Sequence, residues 1–212
     1  MAPKMTLVYF DAAGAAEQIR IALAMTGQPW EDKRLTSAEF GALKPTLPLG
    51  QVPVLEVDGK MLCQSAAILR YVGKLAGIYP ADALEAAYAD IAVDAVVDSN
   101  MKLRPIAFEK DPAKKAEMRK AVMEDFLPTW LTNLENMLKE AGGEYFAGGK
   151  LSIGDIAVAC RLAWFKQGTL VDIPPSIVDG YPLLAALVDR VHAEPRIMDY
   201  QKARASAAAA ST

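Results

Sequence analysis

The chain is poor in the residues from which most catalytic and metal sites are made. It has a single histidine, His192, and two cysteines, Cys63 and Cys160, far apart in sequence. Two cysteines are too few for a disulfide scaffold or a CxxC redox pair, and are read as buried small hydrophobes. One histidine gives them no recognised zinc spacing, so no metal is expected. Serine and cysteine are both missing from the first 36 residues, which leaves Thr6, in mid-strand, as a poor hydroxyl nucleophile there. No Lys/Arg cluster is present that could track a phosphate backbone, and the net charge is −3; nucleic acid is therefore not an expected partner. Residues 1–10 lack the basic stretch, apolar run and cleavage site of a secretory signal, and no later run is apolar enough to span a bilayer. These absences leave the expectation of a cytoplasmic protein that uses neither membrane nor metal.

The hydrophobic fraction is ample, 52% over 212 residues, enough for one large core or two smaller ones. Met5 to Phe10 reads as a strand and Ala16 to Met25 as a helix stopped by Gly27, with Glu17, Gln18 and Arg20 on the face away from Ile19 and Leu23. A second strand is expected around Trp30 to Leu35. A strand, helix, strand unit favours a right-handed crossover and a parallel pair, which puts Tyr9 near the carboxyl edge of the sheet. Val52 to Val57 reads as the next strand, Asp58-Gly59 as a two-residue hairpin turn into Lys60 to Cys63, and Ser65 to Leu75 as a helix. Beyond Gly77 the pattern turns helical: Leu84 to Phe108, Ala113 to Ala141, Ile153 to Gln167 and Pro182 to His192. The fold class expected is α/β plus all-α. A first domain over 1–76, a linker over 77–83, a helical domain over 84–204 and a disordered Ala/Ser tail over 205–212 are expected.

Three local features could carry chemistry. Pro53 opens a strand directly after a loop; a cis Val52-Pro53 bond would turn the Val52 backbone outward to pair with an extended ligand, while a trans proline at a strand start is far commoner. Ser65 starts a helix, where exposed amides and the positive dipole end suit a carboxylate, although most such serines only cap. Asp90, Asp94 and Asp98 share one helix face, either as a solvated stripe or for a reason beyond solvation.

Taken together, Val8-Tyr9-Phe10, the loop TLPLGQVP from Thr46 to Pro53, the hairpin VLEVDGK and Cys63-Gln64-Ser65-Ala66-Ala67-Ile68 resemble the cytosolic glutathione transferases, most nearly the sigma class. Leu151 to Ile156 looks like that family's capping box, Ser152 with Asp155. The resemblance covers nearly the whole chain. It implies a thioredoxin-like domain with a mixed four-stranded sheet followed by an all-helical domain, in a homodimer, with glutathione as co-substrate and no other cofactor. Gln64 and Ser65 would hold the γ-glutamyl carboxylate, Val52 before Pro53 would pair with the cysteinyl backbone, and Lys44 and Gln51 would reach the glycyl end. Asp98 would reach the glutathione amino group of the partner subunit. Phe40 stands where sigma members usually carry tryptophan, and Gln51 where many carry lysine.

Tyr9 would be the catalytic group. A phenol aimed at the sulfur donates to the thiolate rather than the thiol and so favours ionisation, each pKa unit being worth about 1.4 kcal/mol. The thiolate then attacks a small hydrophobic electrophile, bound among Phe10, Asp11, Ala15, Met101, Arg104, Ala157 and Arg161. Sigma-type enzymes commonly place an arginine at the position of Ala15; Arg104 or Arg161 could supply that charge. Two other readings compete. One is a glutathione-dependent isomerase like the prostaglandin D synthases, ranked lower because no aromatic lining is expected near Arg104 and Ala157. The other is a non-catalytic protein like the lens S-crystallins.

Overall fold

The computed structural model describes residues 2–168 and 173–210. They form two compact units: the first takes the described residues up to Tyr79 and again from Ala193 onward, and the second is Pro80–His192.

The first unit is built on strands β1 (Met5–Phe10), β2 (Glu31–Leu35), β3 (Val54–Val57) and β4 (Lys60–Cys63), in the order β2-β1-β3-β4. β1 and β2 are parallel, with Tyr9 opposite Arg34; β3 is antiparallel to both β1 and β4. The sheet is thus mixed and four-stranded. The β3–β4 turn is made by Asp58 and Gly59, both at positive φ (48° and 80°), the geometry that two-residue hairpins favour. Helices α1 (Glu17–Thr26), α2 (Ser37–Leu43) and α3 (Ser65–Ala76) follow β1, β2 and β4. Leu7, Ile19, Leu23, Leu55, Ile68 and Val72 close the core.

Expectations from the sequence are corrected at several points here. The Ala/Ser-rich end is not a disordered tail: α9 (Pro195–Ala210) runs through it, as alanine's high helix propensity allows once the helix is docked, and residues 211–212 lie outside the described residues. The segment packs on α1, with Ile197 fully buried and Arg196 donating to the Met25 carbonyl at 2.6 Å. Finally, Gln18 and Arg20 do not point away from the core; they are 5% and 0% exposed, with Arg20 bonded to Asp32 and to the carbonyls of Phe10 and Ala12. Cys63 and Cys160 are half-buried, not buried as expected.

The second unit begins with α4 (Ala83–Phe108), capped by the Asp82 carboxylate on the amides of Leu84 and Glu85. The helix expected over Ala113 to Ala141 is interrupted: α5 (Pro112–Ala121) passes through a π-helical turn at Val122–Phe126 into α6 (Leu127–Glu140). Pro128 has no N–H to send back along an α-helical ladder, so the pattern slips there. α7 (Ile153–Lys166) is the central helix, packed against α4 and α8 (Pro182–His192). Its N-terminus carries the expected capping box, Ser152 donating from both N and Oγ to Asp155 at 2.7 Å, with the Phe146 amide donating at 2.8 Å. Gly154 permits the closest approach to α4; a Cβ there would lie 2.9 Å from the Ala89 carbonyl oxygen. Among the described residues no helix is long and apolar enough to cross a membrane.

Candidate functional site

Tyr9 lies near the carboxyl end of β1, half-buried, where the parallel β1–β2 crossover opens the sheet edge. The turn that follows wraps its hydroxyl. The Ala15 amide donates to the phenolic oxygen at 3.3 Å, and Gly14, at φ +42°, leaves the space that oxygen fills. A phenol oxygen that already accepts a backbone hydrogen bond is polarised toward giving up its own proton in a second one. Phe10 joins this group to the next, its ring standing edge-on to Tyr9 (5.5 Å) and to Phe40 (5.1 Å).

The other candidates of the first unit lie along the segment from α2 to α3. The Lys44 stem runs past Gly50, next to Gln51, which is exposed. The Val52-Pro53 peptide is cis, the rarer of the two forms weighed from the sequence. Gln64, the N-cap of α3, makes no side-chain cap and is held at φ 70°, ψ 113°. A non-glycine residue in that region costs on the order of 1–3 kcal/mol and persists where its surroundings over-determine it, often at ligand clamps. Ser65 is the first residue of α3, and Gln64 puts no side-chain cap on this helix start, whose first amides have no intrahelical partner.

A charge network behind Tyr9 was not anticipated. Arg20 donates from Nε to both Asp32 oxygens (3.1 Å), from Nη1 to the Ala12 carbonyl (2.7 Å) and from Nη2 to the Phe10 carbonyl (3.3 Å). Its guanidinium carbon is 5.9 Å from the Tyr9 ring centroid. The positive charge beside the tyrosine within this unit therefore comes from α1. Asp11, expected to touch the electrophile, is paired with Arg34, whose hydrogen bond and charge hold its carboxyl below the usual range. The only sequence signal for this network was the Glu17/Arg20 spacing on one helix.

In the second unit, Asp98 and Met101 are exposed on α4. Arg104 lies over the Phe108 ring at 5.7 Å, so an aromatic residue does stand beside it, one helical turn on. Ala157 is fully buried and Arg161 is 8% exposed. Both follow Gly154 on the side of α7 turned toward α4, where Arg161 bonds Asn100 and stacks on Trp164 at 4.8 Å. Among the described residues no group of three or more His, Cys, Asp or Glu could hold a metal ion.

The family description "Glutathione S-transferase, N-terminal domain" matches residues 5–74, and "Glutathione S-transferase, C-terminal domain" matches residues 97–204. Glutathione S-transferase S1 of Drosophila melanogaster is 35% identical over 89% of this chain and 74% of its own length. Hematopoietic prostaglandin D synthase of Gallus gallus is 36% identical over 92% of this chain and 94% of its own. The solved structure of prostaglandin synthase D of Nilaparvata lugens superposes with a TM-score of 0.86 at 36% identity, covering 94% of this chain and 98% of that one. With matches to both family domains and to relatives along nearly its whole length, the chain belongs to the glutathione S-transferase family.

Proposed function

We propose that this glutathione S-transferase activates glutathione through Tyr9 and joins the sulfur to small hydrophobic electrophiles, with glutathione as co-substrate and no further cofactor. The observation that carries the reading is the hydrogen bond from Ala15 to the Tyr9 oxygen. That lone pair being taken, the phenolic proton is free to meet an anionic acceptor, and a thiolate at hydrogen-bond distance is stabilised relative to its thiol. The thiol proton leaves to solvent, the thiolate forms a carbon–sulfur bond, and the electrophile's leaving group departs or its electrons shift onto the acceptor.

Binding is assigned along the edge of the first unit. The α3 amides with Gln64 and Ser65 take the γ-glutamyl carboxylate. The Val52 backbone, ahead of Pro53, pairs with the cysteinyl unit in extended form. Lys44 and Gln51 meet the glycyl carboxylate, and Phe40 closes one wall beside Phe10. The electrophile is assigned to Phe10, Ala15, Met101 and Arg104. Asp98 of the partner subunit completes the site in a sigma-type, cytoplasmic homodimer. Exposed Leu84 (63%), Tyr88 (45%) and Ile91 (48%) support dimerisation, because they line one face of α4 that continues to Asp98. The assigned role is detoxification.

Tyr9→Phe tests the mechanism. The pKa of the bound glutathione thiol is expected to rise by about one unit or more and turnover of chlorodinitrobenzene at neutral pH to fall about tenfold or more. Retention on immobilised glutathione with no turnover in the unaltered protein would favour a binding protein of the S-crystallin kind. A second reading, a glutathione-dependent isomerase, is favoured by the likeness to prostaglandin D synthases and by Phe108 beside Arg104. Formation of prostaglandin D by the purified protein, dependent on glutathione and on Tyr9, would establish it.

A further inference from the structure

We infer that Glu17 is a positioning residue for Tyr9, transmitting the hold of the last helix, α9, to the turn that presents the phenol. The inference rests on the reading of Tyr9 as the group that meets the sulfur. Glu17 opens α1, two residues after the Ala15 amide that binds the phenolic oxygen. Its Oε2 accepts from Arg20 Nη1 at 3.3 Å, and its Oε1 accepts from Arg204 Nη1 at 2.5 Å and the Tyr200 hydroxyl at 3.5 Å. Both partners of Oε1 belong to α9.

Arg20 passes the constraint on. Its guanidinium is wholly buried and planar, so its donors are fixed relative to one another. The same Nη1 that meets Glu17 also holds the Ala12 carbonyl, while Nη2 holds the Phe10 carbonyl, the two being joined by the Ala12 amide on the Phe10 oxygen at 2.8 Å. These carbonyls follow Tyr9 directly in the chain. Asp32 is shared by Arg20 and Arg34, so Glu17 contributes charge balance for Arg20 and Arg204. Beyond that balance it adds a tie between α9 and the turn. Burial and the Glu17 charge together push the Tyr200 hydroxyl's pKa well above its ordinary value, so it remains a donor.

The sign of one measurement separates positioning from simple charge. Removing a nearby negative charge favours an anion, so Glu17→Gln acting only through space would lower the pKa of the bound glutathione thiol. Loss of positioning raises it. The thiol is titrated by thiolate absorbance with glutathione saturating, in the Tyr9 protein and in Tyr9→Phe. Glu17→Gln is expected to raise the pKa by about half a unit, roughly threefold less thiolate at neutral pH, and to add no shift in the Tyr9→Phe background. Arg204→Gln, at a side chain one-third exposed (33%), should act in the same direction and serves if Glu17→Gln does not fold. A fall, no change, or an equal shift in both backgrounds overturns the role of Glu17. If Tyr9→Phe alone leaves the thiol pKa where it was, the parent mechanism fails first, and the two failures are told apart.

Discussion

The Tyr9 hydroxyl fills the space that a side chain on Gly14 would occupy: a Cβ built there falls 2.5 Å from the phenolic oxygen. No relaxed structure keeps that separation, and the positive φ of +42° adds strain for any L side chain. Gly14→Ala should therefore displace the hydroxyl, lower turnover about tenfold or more, and cost about 1–2 kcal/mol of stability. Steady-state kinetics beside a thermal melt checks this; an unchanged kcat would show that the turn and the phenol are not coupled.

Asp155 offers a pH signature. Burial pushes its carboxyl up to about 6, against the pull of hydrogen bonds from Ser152 and Phe146. The unfolded chain titrates near the ordinary value of 3.8, so between that value and about 6 the native state holds the proton more tightly. The stabilisation linked to protonation is complete below 3.8 and is lost as pH rises through about 6. Its full size is on the order of 3 kcal/mol. Denaturant melts should show unaltered protein losing stability relative to Asp155→Asn over this window, with a flat difference above it. A gain in stability of the unaltered protein relative to Asp155→Asn as pH rises would contradict the assignment.

Replacing Asp155 by alanine is a separate matter, since it leaves the Phe146 and Ser152 amides without their buried acceptor. The expected loss is about 2–4 kcal/mol at neutral pH, from cap and buried donors together. A urea midpoint within error of the unaltered protein would show that the capping box adds nothing to stability.

Gly154 sits inside α7, where alanine would ordinarily gain about 1 kcal/mol in helix propensity. The crossing with α4 reverses that expectation. A Cβ would lie 2.9 Å from the Ala89 carbonyl oxygen and 2.9 Å from the Ala92 Cβ, neither of which is the end of a flexible side chain. Gly154→Ala should thus lower stability by about 1–3 kcal/mol, measured as a fall in Tm. A higher Tm would mean that the two helices separate at little cost.

Asp98→Asn tests the shared site. If the carboxylate meets the amino group of glutathione in the neighbouring subunit, its loss should raise KM for glutathione about tenfold with kcat nearly unchanged. Light scattering of the unaltered protein should give twice the 22.8 kDa chain mass. A single-chain mass together with an unaffected KM would remove Asp98 from the site.

What could be read from the sequence was largely local. β1, the stop of α1 at Gly27, the Asp58-Gly59 turn and the Ser152–Asp155 cap each depend on neighbours a few positions away, and all appear as expected. The burial of Arg20 could not be read in this way, because Asp32 and the Phe10 and Ala12 carbonyls gather around it only when the crossover is folded. For the same reason Ala205 to Ala210 looked like a tail: alanine is silent about whether a partner surface exists. The cis form of Val52-Pro53 was undecidable from its dipeptide. The candidate residues of the first unit were legible as motifs, whereas the carboxylates and guanidinium that hold them are gathered by tertiary contact.

The return of the last helix to the first unit has a consequence for synthesis in the cell. Translation runs from one end, so the sheet and its first three helices leave the ribosome long before α9 does. Until release, the face of α1 that α9 covers lacks its partners: Glu17 is without Arg204 and Tyr200, and the Met25 carbonyl is without Arg196. A product truncated before Pro195 would stay in that state permanently, a ready substrate for quality-control proteases.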